Sequence, residues 1–397
     1  MSASPSYDVI IVGMGPAGAS AAYELSLAGL SVLGLEKQTH PRYKVCGGGL
    51  SARIETILPS DFKDVIEDTV YRMIFSYGPE ESYCVESPKP MAYMVMRSRF
   101  DQWLVEKAQQ AGAEVHEDEP ARTFTKLPDG IEVRTDRGWY YGRVVIGADG
   151  ALSTVAQQLF PERRLQKIPA LESEVSSDSF RHHGYANTAL ISLNAAKKGY
   201  GWIFPKQQGL SIGVGEFVRG MNRPKRSFQQ FSREEPTLAG LQIPSPLGHP
   251  IPVFNRSPGV TDDRWNNGLV HGRALLVGDA GHLVDPLLGE GIYYAVRSGQ
   301  LAGAGIVHAL QDSSSGFEVY ERAVINEFGR EFQIASRLGC LVYGVPRSWH
   351  RWVGKTFPGP YQGVLQRYCA MLQGQETYQT LWDRIMAGLH LPFFRHS

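Results

Sequence analysis

Six residues near the start of the chain, Gly13-Met14-Gly15-Pro16-Ala17-Gly18, show G-x-G-x-x-G spacing between an apolar run and an alanine-rich run. In a dinucleotide-binding turn the first glycine permits the tight turn, the second lets the backbone approach a pyrophosphate, and the third allows close helix packing. Glu36 lies 18 residues after Gly18, at the distance from which a carboxylate binds adenosine ribose hydroxyls. The spacing therefore predicts a dinucleotide site.

A second group of residues surrounds Cys46, which is followed by Gly47, Gly48 and Gly49. Three consecutive glycines remove side chains, so the backbone can pass close to a flat ligand. A lone cysteine is usually a small buried apolar residue. Arg42 and Lys44 could activate this thiol if they face it.

Three aromatic residues, Tyr200, Trp202 and Phe204, alternate along a predicted strand. Alternation places all three on one face of the strand. That face could form the wall of an apolar substrate cavity. An ordinary aromatic core is the competing interpretation.

The elements that position these residues can be predicted from hydrophobic periodicity. Residues 7–13, 16–29 and 31–36 form a strand, a helix with Gly29 as its C-cap and a second strand, which is a complete βαβ unit. A helix over 99–110 precedes strands near 114–116, 121–126, 131–135 and 140–146. Turn sequences at 128–130 and 136–138 favour an antiparallel meander for these strands.

The hydrophobic pattern changes after about residue 165. Residues 165–262 contain short strands broken by glycine and proline, which predicts a half-solvated antiparallel sheet. A buried strand over 273–279 and a small-residue helix over 291–310 return the chain to the first domain. From residue 331 onward, prolines at 346 and 358 separate short helices.

Composition excludes several classes of protein. The 397 residues carry 40 Lys+Arg against 40 Asp+Glu, so no overall field attracts nucleic acid. The four cysteines form no C-x-x-C pair, which argues against a zinc site or a disulfide framework and favours a reducing, cytoplasmic setting. Histidines show no metal-ligand pairing. No window is long and apolar enough for a spanning helix, so membrane contact is expected to be peripheral and loose.

Basic residues near the tail alternate with Trp349, Trp352 and Phe357. This pattern fits contact with a lipid surface. It fits equally a solvated helix with buried aromatic side chains.

Three further segments carry a resemblance to flavoprotein hydroxylases and their relatives. Residues 97–104 (RSRFDQWL) resemble the R-x-x-F-D-x-x-L segment, in which the first arginine lies against the flavin. Residues 147–153 (GADGALS) resemble the D-G motif, and residues 273–280 (RALLVGDA) resemble the second FAD motif, whose aspartate hydrogen-bonds the ribityl chain. Because all elements occur in family order, the resemblance implies FAD as the cofactor.

Within that superfamily, residues 41–50 (PRYKVCGGGL) resemble the P-x-x-Y-x-x-C-G-G-x-L signature of the geranylgeranyl reductase family, with one residue fewer between the proline and the tyrosine. Residues 200–205 (YGWIFP) are similar to its Y-x-W-x-F-P segment. The resemblance implies an α/β fold of the glutathione-reductase type, in which a discontinuous FAD-binding Rossmann-like domain holds an inserted antiparallel-sheet substrate domain and precedes a C-terminal helical region. The expected FAD-binding ranges are 1–75, 97–165 and 263–330, the substrate domain is 76–96 and 166–262, and the helical region is 331–397.

The resemblance also implies site residues. Cofactor-binding residues are expected at Gly13, Gly15, Ala17, Gly18, Glu36, Lys37, Arg97, Asp149, Asp279, Gly289 and Gly291. Catalytic residues are expected at Cys46, Gly47 and Gly48, and substrate-binding residues at Tyr200, Trp202 and Phe204. The implied activity is saturation of C=C bonds in a polyprenyl lipid by hydride from reduced FAD, with NAD(P)H or ferredoxin as transient electron donor.

Other functions fit parts of the sequence. A halogenase would carry W-x-W-x-I-P, whereas Tyr200 and Phe204 replace the first tryptophan and the isoleucine. A flavin-dependent hydroxylase of apolar substrates shares the FAD motifs and ranks second. A prenyl-binding protein without redox activity would not need Arg97, Asp279 and the glycine run together. The sequence leaves open the particular lipid, the number of bonds reduced, the electron donor and the oligomeric state.

Overall fold

The structure is a computed structural model, and it describes residues 6–78, 81–163, 167–176, 185–217, 223–254, 268–312, 314–344 and 347–389. The chain forms two compact units. The first unit comprises Met1–Lys44, Met96–Lys167 and Pro250–Gly329, and the second comprises Val45–Val95, Ile168–His249 and Arg330–Ser397. Each unit is described by itself below.

The first unit is built on an eight-stranded sheet. Its strands are β1 (Ser6–Val12), β2 (Val32–Leu35), β8 (Glu114–His116), β9 (Thr123–Lys126), β10 (Ile131–Arg134), β11 (Trp139–Gly147), β17 (Val270–His271) and β18 (Ala274–Leu276). Strands β18, β11, β1, β2 and β8 pair in parallel in that order. Strands β9, β10 and β11 form consecutive antiparallel pairs, and β17 pairs antiparallel with β18.

The helices of the first unit are α1 (Pro16–Leu27), α2 (Arg97–Gln110), α3 (Thr154–Leu159), α5 (Ile292–Gln311) and α6 (Glu318–Val324). Helices α1 and α5 pack closely because small residues face each other. A Cβ on Gly299 would lie 2.3 Å from the carbonyl oxygen of Ala17. The core of this unit contains Ile10, Leu33, Val145 and Leu276, which are fully or almost fully buried.

The second unit contains two sheets. A small sheet consists of β3 (Gly49–Ser51), β7 (Ala92–Val95) and β4 (Ile66–Val70), all antiparallel. The seven-stranded sheet has the order β16 (Leu247–Ile251), β12 (Ile168–Ser176), β15 (Gly209–Glu216), β14 (Gly199–Lys206), β13 (Thr188–Ser192), β5 (Arg72–Ser76) and β6 (Ser82–Glu86). Its helices are α4 (Pro224–Glu234), α7 (Arg330–Gly344), α8 (Arg347–Thr356), α9 (Pro358–Leu372) and α10 (Tyr378–Leu389).

The predicted βαβ unit is confirmed by β1, α1 and β2, and Gly29 has the positive φ of +80° that a helix-ending glycine adopts. The meander is confirmed for β9 to β11 but is wrong for residues 114–116. These residues form β8, which pairs in parallel with β2. A strand that follows a crossover helix, here α2, returns to the sheet in parallel rather than as a hairpin.

The inserted sheet is mainly antiparallel, as predicted, although β13 pairs in parallel with β5. The expectation of a half-solvated sheet is wrong for its centre, since β13 is buried at every residue. One face of the sheet contacts α4 through Phe228 and Phe231, and the opposite face carries buried polar residues such as Ser211. Both faces are therefore covered.

The unit boundaries differ from the sequence-based ranges. Residues 45–75 were expected in the FAD-binding domain, but they cluster with the second unit because β3, β4 and β5 pair within its sheets. The tail from Arg330 onward belongs to the same unit. The expected boundaries at 165/166 and 262/263 and the proline at 346 lie outside the described residues. Among the described helices, none combines the length and apolar character needed to cross a bilayer.

Candidate functional site

The fingerprint turn in the first unit requires its glycines. Gly13 has a φ of +94°, and a Cβ there would lie 2.5 Å from the carbonyl oxygen of Ala148. A Cβ on Gly18 would lie 1.9 Å from the carbonyl oxygen of Gly13. Gly15 differs, because the nearest atom to its Cβ position is Nη2 of Arg42 at 3.4 Å. Backbone atoms therefore leave no space for a side chain at Gly13 or Gly18. At Gly15, the glycine expected to meet a pyrophosphate, the turn faces the guanidinium group of Arg42.

Glu36 is buried at the end of β2 beside this turn. Its carboxylate accepts hydrogen bonds from the backbone N–H groups of Met14 at 2.9 Å and Gln38 at 3.1 Å. A carboxylate offers about four acceptor positions, so it retains capacity for ribose hydroxyls. Lys37 follows and is exposed.

Arg97 and Arg42 converge on one buried carboxylate, Asp101. Arg97 donates two hydrogen bonds of 2.8 Å to Asp101 from Nε and Nη2, one turn apart on α2. Arg42 Nη1 lies 3.1 Å from Asp101 Oδ2, and Arg42 Nε lies 3.8 Å from Glu36 Oε1. Asp101 is completely buried. The Asp101 carboxylate thus holds the two guanidinium groups in fixed positions. In the sequence, Asp101 was identified only as the aspartate of the R-x-x-F-D-x-x-L segment, with no role of its own.

Asp149 is a helix cap. Its carboxylate accepts hydrogen bonds from the Ser153 hydroxyl and from the backbone N–H groups of Thr154 at 2.6 Å and Val155 at 3.2 Å. These are the first N–H groups of α3, which the helix itself leaves unpaired. Burial nevertheless raises the pKa of Asp149. By capping α3, Asp149 fixes the backbone of the neighbouring Ala148, which packs against Gly13 of the fingerprint turn.

Asp279 lies in a single turn of helix over Gly278–Gly281, directly after β18. A Cβ on Gly278 would lie 2.9 Å from the Cβ of Ala17, so this turn packs against the start of α1. Burial raises the pKa of the Asp279 carboxyl, and the charges of Lys44 and Arg97 oppose that rise. Asp279 accepts no side-chain hydrogen bond from the residues that the structure describes.

Gly289 and Gly291 precede α5. Gly289 has a φ of +68°, which favours glycine, and Gly291 is the N-cap of the helix. A Cβ on Gly291 would lie 3.5 Å from Asp279 Oδ1. The structure therefore brings the predicted cofactor residues of the first unit together at the N-terminal ends of α1 and α5 and the Asp279 turn.

These residues fit FAD. Arg42 places Nη2 3.4 Å from the Cβ position of Gly15, over the glycine turn where a diphosphate would supply acceptors, and its buried Nη1 forms an ion pair with Asp101 without a hydrogen bond to a described residue. Asp279 offers acceptor oxygens suited to ribityl hydroxyls, and Glu36 offers them to ribose. Two helix N-termini add positive potential suited to anionic groups.

In the second unit, Cys46, Gly47 and Gly48 form a tight turn before β3. The N–H of Gly48 donates to Cys46 Sγ at 3.4 Å. Gly48 has a φ of +66°, and a Cβ there would lie 2.2 Å from the carbonyl oxygen of Val95. A Cβ on Gly47 would lie 2.9 Å from Trp202 Nε1 and 3.0 Å from Phe204 Cδ2. The glycines therefore let this backbone lie directly against β14.

Lys206, the last residue of β14, holds the same turn. Its Nζ donates to the carbonyl oxygens of Gly47 at 2.8 Å and Val95 at 2.7 Å. The side chain is 8% exposed, and burial lowers the pKa of Lys206 to about 8 despite the opposing charges of Cys46, Glu174 and Glu172. A buried lysine was not predictable from the sequence, because lysines are almost always exposed. The only signal was its position directly after the aromatic motif.

Tyr200, Trp202 and Phe204 lie in sequence along one face of β14, as predicted, with neighbouring ring centroids 6.3 and 6.2 Å apart. Tyr200 stacks on Phe217 at 5.1 Å and belongs to an aromatic cluster. Trp202 Nε1 donates to Ser211 Oγ at 3.3 Å, and Ser211 donates to the buried Glu172 at 2.9 Å. Trp202 and Phe204 are thus the two rings that meet the cysteine-glycine turn.

An open cleft of about 730 Å³ lies in the second unit. Its lining is rich in tyrosines and charged groups, including Tyr71, Tyr93, Glu67 and Lys206. The three rings of β14 are not part of that lining. Their role as the wall of an apolar cavity stays a prediction.

Comparisons with known proteins identify the family. Residues 6–323 match the FAD binding domain family. Digeranylgeranylglycerophospholipid reductase 1 of Methanopyrus kandleri is 31% identical, covering 85% of this chain and 90% of that protein. Menaquinone reductase of Mycobacterium tuberculosis is 30% identical, covering 86% of this chain and 85% of that protein.

Solved structures share the fold. A geranylgeranyl bacteriochlorophyll reductase-like protein from Thermoplasma acidophilum gives a TM-score of 0.74 at 24% identity, covering 87% of this chain and 90% of that one. A flavin-dependent brominase gives a TM-score of 0.71 at 18% identity, covering 94% of each chain. On the match to the FAD binding domain and the identity to the reductases, the chain belongs to the geranylgeranyl reductase family of FAD-dependent oxidoreductases.

Proposed function

We propose that this oxidoreductase is a prenyl reductase, which saturates C=C bonds of a geranylgeranyl or related polyprenyl group. The observation that carries the proposal is the packing of two motifs that resemble this family. The turn at Gly47 lies against Trp202 and Phe204, so close that a Cβ on Gly47 would lie 2.9 Å from Trp202 Nε1.

When bound, reduced FAD would supply a hydride to one alkene carbon, and a proton must reach the other carbon. An isolated alkene has no carbonyl to stabilise developing charge. The chain must therefore align the double bond and exclude water from it. Trp202 and Phe204 supply apolar ring surface suited to a polyprenyl chain, and the glycine turn that carries Cys46 packs directly against both rings.

Cys46 is the proposed contact between this turn and the substrate double bond. Its Sγ is half-buried, and it accepts the Gly48 N–H at 3.4 Å. A thiol so placed could orient the alkene or pass a proton to it from water. Lys206 acts through the turn, because it fixes the Gly47 carbonyl, and is a positioning residue.

The names of the relatives support a class of substrate. They refer to a digeranylgeranyl phospholipid and to menaquinone, which share an isoprenoid chain and differ in the head group. We propose that this protein recognises the isoprenoid chain, and that NAD(P)H or a ferredoxin supplies its electrons transiently.

Anaerobic stopped-flow spectroscopy tests the proposal. Flavin reduced with dithionite should reoxidise when a polyprenyl lipid is added without oxygen. The matched control is the fully saturated lipid, which should leave the flavin reduced. Reoxidation that needs oxygen would instead favour the hydroxylase, which shares the FAD motifs.

A further inference from the structure

Helix α8 and the turn after it expose three large aromatic side chains. Trp349 is 49% exposed, Trp352 is 57% exposed and Phe357 is 51% exposed. Trp349 and Trp352 are three residues apart and therefore share one helix face. Trp352 and Phe357 meet edge to face, with ring centroids 6.2 Å apart. Residues 348–360, called here the aromatic segment, thus form one apolar surface.

The inward side of α8 is polar and tightly held. His350 Nε2 lies 2.8 Å from the carbonyl oxygen of Val342, and Arg351 donates to the carbonyl oxygen of Tyr77 at 2.9 Å. A Cβ on Gly354 would lie 2.3 Å from the Tyr83 hydroxyl oxygen. These contacts fix the rotation of the helix. Trp349 and Trp352 therefore face outward, whereas His350 packs inward and the half-exposed Arg351 reaches back to Tyr77. A solvated helix with buried aromatic side chains is wrong for α8.

The sequence of this segment and its flanks is basic. Between Glu331 and Glu376 the chain has no acidic residue, but it has five basic ones, Arg337, Arg347, Arg351, Lys355 and Arg367. Two of these are paired, since Arg351 Nε lies 3.5 Å from Glu81 Oε2 and Arg367 Nη1 lies 2.8 Å from Glu376 Oε1. Lys355 is exposed at the end of α8, six residues from Trp349. Positive charge beside exposed tryptophan matches an anionic lipid surface, where tryptophan rings favour the headgroup region.

We propose that the aromatic segment binds the surface of an anionic lipid bilayer, with Trp349, Trp352 and Phe357 inserted among the headgroups and Lys355 near lipid phosphates. An exposed apolar patch of this kind marks a contact surface rather than ordinary solvated helix. This binding needs neither FAD nor a reducible substrate. Its test is therefore independent of the proposed reaction.

Vesicle cosedimentation tests the proposal on the flavin-loaded protein. The probes are vesicles of phosphatidylcholine and vesicles containing about one third phosphatidylglycerol. Wild-type protein should bind the anionic vesicles and bind the neutral ones more weakly. The double variant Trp349→Ser/Trp352→Ser should bind anionic vesicles at least about tenfold more weakly, because it loses both inserted rings. Lys355→Gln should weaken binding about fivefold, as expected for one charge near the surface.

Trp139→Ser is the matched control, because Trp139 is 42% exposed on β11 in the first unit. It should bind vesicles like the wild type. Equal binding by the double variant and the wild type would overturn the proposal, as would binding that ignores lipid charge. Analytical ultracentrifugation tests the alternative that the aromatic segment binds a second copy of this chain instead of a lipid surface. A dimer that the double variant disrupts, with no vesicle binding by the wild type, would also overturn it.

Discussion

The buried ammonium group of Lys206 donates a hydrogen bond of 2.8 Å to the carbonyl oxygen of Gly47, and a second of 2.7 Å joins it to Val95. The last residue of the aromatic strand therefore fixes the turn that carries Cys46. This relationship couples the two motifs of the second unit through backbone atoms. It also places a titratable group where its protonation changes stability.

The first prediction is a pH-dependent stability difference between wild type and Lys206→Met. The pKa of Lys206 falls from 10.5 to about 8 on folding because of burial. Between these values the unfolded chain binds more protons than the native one, so the stability that Lys206 contributes rises with pH. The free energy of unfolding of wild type relative to Lys206→Met should increase by about 3 kcal/mol from pH 8 to 10.5 and stay constant below pH 8.

Denaturant unfolding at a series of pH values measures this difference. Lys63→Met is the control, because Lys63 is 55% exposed in the same unit and should give a flat difference. A flat profile for Lys206→Met as well would show that Lys206 is solvated rather than buried against Gly47.

The second prediction concerns Asp101, which holds Arg97 and Arg42. Asp101→Asn leaves two guanidinium groups facing a neutral amide in a buried site, and it should destabilise the protein by about 3–5 kcal/mol. Thermal or urea unfolding measures the loss. Asp136→Asn is the control, because its ion pair with Arg122 is exposed and its loss should have little effect. Similar stability of the two variants would contradict the buried network.

The third prediction concerns cofactor occupancy. Gly15→Val places a branched side chain where the pyrophosphate must approach, and Asp279→Ala removes the proposed acceptor for ribityl hydroxyls. Each should weaken FAD binding at least about tenfold. Asp279→Asn, which keeps one acceptor oxygen, should be intermediate. The ratio of flavin to protein absorbance, with titration of the apoprotein, measures the effect; full flavin content in both main variants would refute the assignment of this turn.

The fourth prediction separates Cys46 from the cofactor site. Cys46→Ala should keep its FAD but slow lipid-dependent reoxidation of the flavin at least about tenfold, the lower part of the range for a positioned catalytic group. Cys46→Ser should be intermediate if hydrogen bonding matters more than thiol chemistry. Cys84→Ala, which changes another half-buried cysteine of the same unit, should react like the wild type. Wild-type rates in both Cys46 variants would make it a packing residue.

Local patterns made much of the fold predictable. The glycine spacing at 13–18 and the βαβ periodicity depend on neighbouring residues, and β1, α1 and β2 follow them. Alternation alone placed Tyr200, Trp202 and Phe204 on one face. These predictions needed only backbone geometry over short stretches.

Long-range pairing was not predictable. The assignment of residues 45–75 to the second unit depends on β5 pairing with β13, a strand more than 100 residues later. The contact of Arg42 with Asp101 spans 59 residues, and the burial of Lys206 depends on carbonyl oxygens of Gly47 and Val95. Such contacts follow from the tertiary fold, which a single sequence does not encode in any local pattern.

Product analysis under strict anaerobiosis tests the central claim most directly. The dithionite-reduced flavoprotein is incubated with geranylgeranyl diphosphate, a digeranylgeranyl phospholipid and menaquinone, and the products are analysed by mass spectrometry. The account predicts at least one lipid whose prenyl chain gains two hydrogen atoms for each reduced bond while the flavin reoxidises, a gain that persists after air has reoxidised any quinol ring, and no lipid product with an added oxygen atom when air is admitted. A product that contains an added oxygen atom, formed only in air, would contradict it.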